Sequence, residues 1–553
     1  MSQYTFSLRA LNRRMLNVIR LSWHLPGALL LGGALHALSF APGPLPAWVL
    51  SPLQLIVMAW LVRTLWLAPT ARQAATRAWL FGMGNFMIGL YWLTISMHTY
   101  GFIPLPFAIL ALAGLSVYLA LFGALAAWIT HRIGGAAWSD GHAGAKGSVW
   151  VALIWAAAWT LSEWLRATLF TGFPWLNTGY AHMDSWYANW SAITGLYGVT
   201  FITAFTSAAL AGFTDPSRFL FKLHPQHALA GGLVIALLLL GAGLPQLHWS
   251  RSAGPPTVVR LVQGNVDQGM KFAPDQLMRN ISEHLKLAGT PVPAGARSPQ
   301  LVLLPETALA VFQHQLDPAI WLAWRDLAAR QGSTIIMGAA LYDRATGQYT
   351  NSVIGLDGNT SVASIIAGTT TQRYDKHHLV PFGEFIPWGF RWFVDLMRIP
   401  LGDFHRGAMI QPTFALDGQR LAVNICYEDT FGEELLASLS GAAGATILAN
   451  FSNLGWFGDS FALRQHWQMA RMRALETSRP MLRATNTGTT GAIDPQGQSI
   501  ATLAVHRPGV LDVSVQGQTG LTPYARLGNL PVLLCALLVL AVAVYQCRKR
   551  PQQ

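Results

Sequence analysis

Apolar runs of about twenty residues recur through the first half of the chain, near residues 24–41, 46–67, 78–97, 104–130, 149–168, 191–213 and 228–247, and an eighth closes it near 528–546. A run of that length spans roughly 30 Å of hydrocarbon. Eight of them make a polytopic α-helical membrane domain the first expectation. The first run follows basic residues and ends on small ones, as a secretory leader would, but six more follow directly, so it reads as a retained helix. Composition agrees: 52 % of the residues are hydrophobic and 11 % charged, far from the soluble average.

The formal net charge of +12 points either to nucleic acid or to a membrane surface, and the positions of the charges decide. Arg9, Arg13, Arg14 and Arg20 precede the first run; Arg72 and Arg77 lie between the second and third; His131, Arg132 and Lys146 follow the fourth; Arg218 and Lys222 follow the sixth; Arg548, Lys549 and Arg550 end the chain. All fall on one side. The alternate loops at 41–46 and 98–103 carry no lysine or arginine. The positive-inside rule then predicts both termini in the cytoplasm and everything between the seventh and eighth runs outside it. No nucleic-acid partner is expected.

That outside piece follows the linker SRSAGPP (250–256) and changes character. Short β-branched runs (TVVRLVQ, LVLLP, TIIMGAAL, LAVNIC, ATILAN) alternate with helical stretches such as WLAWRDLAAR and RQHWQMARMRALETS, a pattern of strands and crossover helices. Hairpin signals stand at 357–358, 417–418 and 495–497. The expected organisation is a membrane domain at 1–250 with seven transmembrane helices, an α/β domain at 251–522, and a last transmembrane helix with a basic tail at 523–553.

In open α/β sheets, sites form at the carboxyl ends of strands. Glu306 follows LVLLP, Lys376 follows an extended segment in YDKHHLVPFGEF, and Cys426 ends LAVNI. Singly, these read as a cap, a solvated lysine and a buried small side chain. Together they fit one chemistry. A thiol attacks as thiolate, and a position opening a helix beside a lysine would stabilise that anion. Glu306 can take the thiol proton and return it to a leaving group. Lys376 and the Tyr427 backbone N–H can hold the oxyanion of a tetrahedral intermediate. Acyl transfer through a thioester follows. The other two cysteines, Cys535 and Cys547, lie in or beyond the last run, so neither is placed in the same domain to trap Cys426 as a disulfide.

These residues resemble the nitrilase superfamily, whose catalytic set is Glu, Lys and Cys. More narrowly, the chain resembles the apolipoprotein N-acyltransferase family of the bacterial inner membrane. The resemblance rests on EWLRATLFTGFPWLNTGY (163–180) and on LVQGNV, LPETA, YDKHHLVPFGEFIP, NICYED, WFGDS, QHWQMARMRALETSRPMLRATNTG and GLTPYARLGN in the outer part. It implies an αββα sandwich on the periplasmic side and transfer of a fatty acyl chain from a glycerophospholipid to the α-amine of a diacylglyceryl-cysteine on an apolipoprotein. It further implies Glu384 as a second acid supporting the lysine and Glu428 as a structural acid beside the nucleophile. Phe272 stands where relatives often carry Trp, and Leu454 where they often carry an acid. Substrate-side residues are expected at Phe272, Trp388, Phe390, Trp456 and Phe457, with residues 384–404 as an apolar lid at the membrane surface. No cofactor or metal is implied, and a monomer is expected.

Other patterns carry less. His377 and His378 are adjacent and would point to opposite faces of an extended segment, a poor pair of metal ligands. NTGTTG (486–491) lacks the following lysine of a phosphate loop. Glu163 and Arg166 are three apart near the outer end of the fifth run, placed either as an interfacial ion pair or facing a reaction chamber. Two further readings compete with acyl transfer: a membrane-tethered amidase or nitrilase acting on a small C–N substrate, and a transporter with an outer binding module. The first needs one helix and not eight; the second ordinarily needs several midspan ionisable groups.

Overall fold

The computed structural model describes residues 25–40, 45–139, 145–213, 225–271, 273–389, 391 and 403–549. Each apolar run is helical within that range: α1 (Leu25–Phe40), α2 (Ala47–Trp66), α3 (Ala71–Gly89), α4 (Leu105–Ser139), α5 (Ala145–Arg166), α6 (Ser191–Phe213) and α7 (Pro225–Gly243), with the closing helix Leu530–Lys549 far along the chain. Among the described residues, five helices are long and apolar enough to cross a membrane by themselves, or six when α3 is joined to the bent segment Leu93–Tyr100. Of the orienting basic residues, Arg9, Arg13, Arg14, Arg20, Arg218, Lys222 and Arg550 lie outside the described residues.

Two breaks in these helices differ from the simple spans expected. The third run starts earlier, at Ala71, and turns by 57° after Gly89. There the Gly89 carbonyl accepts from the Trp92 indole at 3.1 Å and from the Gln465 amide at 3.2 Å, so side chains satisfy a helix end that would otherwise be orphaned. In α6, Gly195 has a φ of 66°. A Cβ there would lie 2.3 Å from the Tyr524 ring. The Leu196 N–H freed by that break donates to the Glu476 carboxylate at 2.6 Å.

The outer part is a double sheet. Its strands are β1 (Thr257–Gln263), β2 (Leu301–Leu303), β3 (Leu309–Phe312), β4 (Thr334–Tyr342), β5 (Tyr349–Leu356), β6 (Arg373–Asp375), β7 (Phe414–Leu416), β8 (Gln419–Ile425), β9 (Ile447–Ser452), β10 (Met481–Thr485), β11 (Gly491–Ile493), β12 (Ser499–Thr502) and β13 (Gly509–Val515). One sheet has the order β13-β1-β2-β4-β5-β6, with β3 also on β4; the other runs β12-β11-β10-β9-β8-β7. Alternation along the strands builds the layers. Val259, Leu261, Leu301 and Leu303 meet Val423, Ile425, Ala449 and Phe451 between the sheets. Val302 and Leu304 face outward to α8 (Pro274–Ala288) and α9 (Pro318–Gln331), packing with Ile281, Trp321 and Trp324. Leu448 and Met481 face α10 (Phe461–Thr477) through Trp467, Ala470 and Ala474. The result is an αββα sandwich, and the last helix, α11 (Leu530–Lys549), leaves it.

Two of the three expected hairpins form: residues 417–418 join antiparallel β7 and β8, and 495–497 join antiparallel β11 and β12. The third does not. Asp357 is a turn acceptor for the Asn359 N–H and the Thr360 hydroxyl, and the chain enters the short helix Val362–Ala367 before reaching β6.

Candidate active site

β2, β6 and β8 end just before Glu306, Lys376 and Cys426 respectively, and the fold brings the three strand ends together. Lys376 Nζ lies 2.9 Å from Glu384 Oε1 and 3.6 Å from Glu306 Oε1. Asn351, on β5, donates from Nδ2 to both carboxylates at 2.8 Å. Glu306 Oε2 accepts the Asn453 N–H at 2.8 Å, and Glu384 Oε2 accepts the Val380 N–H at 2.8 Å. Each carboxylate is therefore pinned from two directions. Lys376 is fully surrounded: burial acts to lower its ammonium, and Glu384, Glu306 and Cys426 outweigh that and raise it. It is a fixed cation.

Cys426 is half-buried and has a φ of 52°, a left-handed conformation that a residue with a β-carbon adopts only when its surroundings hold it. Those surroundings are specific. Asn450 Nδ2 donates to the Cys426 carbonyl at 2.9 Å. Glu428 accepts from the N–H groups of Ile425 at 2.6 Å, His377 at 2.7 Å and His378 at 3.0 Å, and from the Tyr374 hydroxyl at 2.9 Å. One carboxylate thus ties the turn bearing the thiol to the chain on both sides of Lys376.

The thiol's electrostatics correct one expectation. The helix that Cys426 opens is a single five-residue 3-10 turn, Cys426–Thr430, too short to supply much of a helix dipole. Burial pushes the thiol up, Glu306 adds to that, and Lys376 works against it. The resting group at neutral pH is a protonated thiol, and the Glu306 carboxylate opposes its ionisation.

Tyr427 points away from this cluster and into the membrane part. Its hydroxyl donates to the Gly172 carbonyl at 3.2 Å. Its ring stacks on Trp175, with centroids 6.4 Å apart. Arg166 holds that loop by donating to the carbonyls of Phe173 at 2.6 Å and Trp175 at 2.7 Å, while Glu163 accepts the Thr178 N–H at 3.1 Å. Glu163 and Arg166 do pair, 3.7 Å apart, and both are buried, bracing the loop under the outer domain.

Trp456 and Phe457 meet the bent segment after α3: Trp456 contacts Tyr100 edge-on at 5.7 Å, and Phe457 contacts Trp92 at 4.5 Å. Trp388 is 98 % exposed. Phe272, Phe390 and residues 392–402 of the expected lid lie outside the described residues. His377 Nδ1 bonds the Gly407 carbonyl, and His378 pairs with Glu434 and stacks on Phe431 at 3.7 Å. Leu454 is buried against Gly488, and Asn453 beside it keeps bonds to Gln268 and Asn486.

Sequence reasoning missed Asn351, Lys271 and Trp175. Lys271 is buried, donates to the Glu306 carbonyl at 3.2 Å, and is lowered to about 8 by burial against the pull of Glu306. Nothing in its local pattern announces this. Trp175 had a signal: FPWLNTGY is an aromatic loop between apolar helices, where a water-facing connection would carry polar residues.

Both halves of the chain resemble known proteins. Residues 32–209 match the apolipoprotein N-acyltransferase N-terminal domain, and residues 243–524 match the carbon-nitrogen hydrolase family. Apolipoprotein N-acyltransferase from Bordetella bronchiseptica is 51 % identical over 544 residues, covering 96 % of this chain and 98 % of its own. Its counterpart from Ralstonia nicotianae is 45 % identical, covering 96 % and 95 %. Among solved structures, an amidase from Nesterenkonia aligns at 18 % identity and a TM-score of 0.36, over 51 % of this chain and 96 % of its own. With relatives of that identity matched from end to end, the chain belongs to the apolipoprotein N-acyltransferase family.

Proposed function

We propose that the protein transfers a fatty acyl chain from a glycerophospholipid, through a thioester on Cys426, to the α-amine of the N-terminal diacylglyceryl-cysteine of apolipoproteins. The observation that carries the chemistry is a pinned carboxylate and a fixed ammonium 3.6 Å apart, each of which acts electrostatically on the half-buried Cys426 thiol at a third strand end. In the first half-reaction Sγ attacks the ester carbonyl as its proton passes to Glu306. Lys376 and the Tyr427 N–H stabilise the oxyanion. Collapse breaks the C–O bond, and the lysophospholipid leaves with the proton from Glu306. In the second, the acceptor amine attacks the thioester carbonyl and gives its proton to Glu306, the C–S bond breaks, and Glu306 returns that proton to the departing sulfur, leaving the amide and the free thiol.

In this reading Glu384 and Asn351 keep Lys376 aimed at the reacting carbonyl, and Glu428 keeps the nucleophile turn in place. Trp388 and Trp456 offer apolar surface to arriving lipid. All eight helices cross the inner membrane, both termini face the cytoplasm, and residues 251–522 form a periplasmic catalytic domain in a monomer; the basic residues on alternate loops support that orientation. A membrane-impermeant thiol reagent checks the topology: it should reach Cys426 from the periplasm without permeabilisation, and labelling that requires cytoplasmic access refutes it.

A tethered amidase would use the same three residues. What favours acyl transfer is the match of both halves of the chain to one family of acyltransferases. Incubating the purified protein with phospholipid alone should give an intact-mass increase of one acyl chain on Cys426, discharged on adding a diacylglyceryl peptide with a free α-amine. Absence of the adduct together with turnover of a small amide would overturn the proposal.

A further inference from the structure

A second buried polar cluster lies against the nucleophile turn, and the three reacting groups do not account for it. Asp429, fully buried, accepts a hydrogen bond from His466 Nε2 at 2.6 Å and another from Arg483 Nη1. Arg483 Nη2 reaches His466 Nδ1 at 2.8 Å. A guanidinium can only donate, so Nδ1 accepts and the imidazole carries its proton on Nε2, which donates to Asp429. Burial holds His466 below its ordinary range, and burial's upward push on Asp429 is outweighed by His466 and Arg483, which lower it. Both directions agree with a neutral imidazole facing a carboxylate.

The cluster reaches Cys426 directly, through His466 against the Cys426 backbone, and by two further routes. Asp429 belongs to the same short turn, Cys426–Thr430. Arg483 Nη2 also reaches Ser452 Oγ at 3.4 Å, Ser452 bonds Asn450, and Asn450 donates to the Cys426 carbonyl at 2.9 Å. Both the chain after the thiol and the thiol residue's own carbonyl are therefore anchored to one charge-paired unit. A residue at a φ of 52° needs such anchoring.

We infer that His466 is a positioning residue for Cys426: donating from Nε2 to Asp429 and accepting at Nδ1 from Arg483, it holds the turn in the conformation that presents the thiol. It touches no reacting atom. The inference rests on the proposed role of Cys426, and its test keeps the two apart.

Three variants separate the bonds. His466→Gln extends an amide N–H toward the Nε2 position and keeps the donor to Asp429. His466→Asn places its carbonyl near the Nδ1 position and keeps only the acceptor for Arg483. His466→Phe removes both and keeps a ring to stack on Trp175, as His466 does at 5.5 Å. The readout is the rate of acyl-adduct formation on Cys426 from phospholipid, measured beside thermal stability. The Phe and Asn variants should acylate about 100-fold more slowly, the scale of loss when a reacting atom is misplaced by about 1 Å, and Gln should restore most of the rate. Wild-type acylation in His466→Phe overturns the inference. So does equal slowing in Gln and Asn in proportion to lost stability, which would mark simple packing; this pair decides the matter should the Phe variant not fold. Cys426→Ala runs in parallel: continued transfer in that variant would bring down the proposed function as well, whereas a wild-type adduct that forms as fast in His466→Phe removes only the role of His466.

Discussion

α9 and α10 do the same architectural task on opposite faces of the sandwich, yet they are built differently. α9 buries Trp321, Trp324, Leu327 and Ala328 against one sheet, and its charged Arg325 and Asp326 pair at the surface. α10 is buried nearly all round. One face meets its sheet through Trp467 and Ala470, and the other meets the membrane part through Ala462, Met469 and Met472, which pack with Phe86, Trp92, Trp175 and Tyr180. Its buried charges and one amide have partners across the joint or along the helix: Gln465 accepts from the indoles of Trp175 at 2.7 Å and Trp92 at 3.2 Å, Arg471 pairs with Asp184 at 2.7 Å, and Arg473 pairs with Glu476 at 3.0 Å, whereas the buried Gln468 amide has no hydrogen-bond partner among the described residues. A buried charge survives only when paired. The difference teaches that one face of the sandwich is an ordinary solvent-facing layer, whereas the other is a joint, and that Cys426 ends a strand of the joint-side sheet while Glu306 and Lys376 come from the other.

The sharpest way to break that picture is at the cluster itself. Cys426→Ala and Cys426→Ser should abolish transfer while the protein stays folded in the membrane, since the nucleophile is missing or too weak; an Ala variant with full activity would end the covalent scheme. Next come Glu306→Gln and Lys376→Met. Each should slow acyl-enzyme formation by about 10²–10⁴-fold, the range for losing a general base or an oxyanion donor. An adduct forming at the wild-type rate in either variant would show that role to be misassigned.

Proton linkage gives Lys376 an independent signature. The folded thiol is raised, foremost by burial, and Lys376 acts to lower it. A raised acid holds its proton more tightly when folded, so this group favours the folded state below the unfolded thiol's pKa and loses that contribution as pH climbs through the folded one. Alkylation of Cys426 should accordingly be slow at neutral pH and increase toward alkaline pH. In Lys376→Met the rise should move to still higher pH; a move to lower pH would contradict the assigned charges.

The same contrast explains what could be read from sequence. Strand ends were legible because β2 is a short apolar run, LVL, and β8 is mostly buried apolar residues, ending in VNI, each followed within three residues by a residue of another type, Glu306 and Cys426. The eight apolar runs were legible for the same reason. α10 was legible as a helix but not as a joint: RQHWQMARMRALETS has the polar content of a surface helix, and only its partners, hundreds of residues away, reveal that it is buried. Asn351 is equally silent, since its strand alternation says which face it occupies and not that two carboxylates converge there. The break at Gly195 was hidden inside an unbroken apolar run because the ring packed against it comes from Tyr524, far along the chain.

If the joint positions the nucleophile, damage on the membrane side should register in the outer domain. Trp175→Ala removes the ring stacked on Tyr427 and the donor to Gln465, and it should slow acylation by about 10²-fold through displacement of the Tyr427 N–H, with the hydrolase-like sheets still folded by circular dichroism. Normal acylation in that variant would mean that the two parts merely touch.

The smallest effect isolates a single bond of that joint. Trp175→Phe keeps an aromatic ring against Tyr427 and His466 but deletes the indole N–H that donates to Gln465 Oε1 at 2.7 Å. That oxygen retains the Trp92 indole at 3.2 Å, so no buried acceptor is left bare and the loss should be near the net worth of one hydrogen bond, about 0.5–1.5 kcal/mol in stability. Gln465→Met also breaks the bonds to Trp92 and Gly89 and should cost more. The double variant decides whether the Trp175 bond is a true coupling: its loss should fall short of the sum of the single losses by about the energy of that one bond. Strict additivity would show that Trp175 and Gln465 act independently, and the joint would then be held by apolar packing alone.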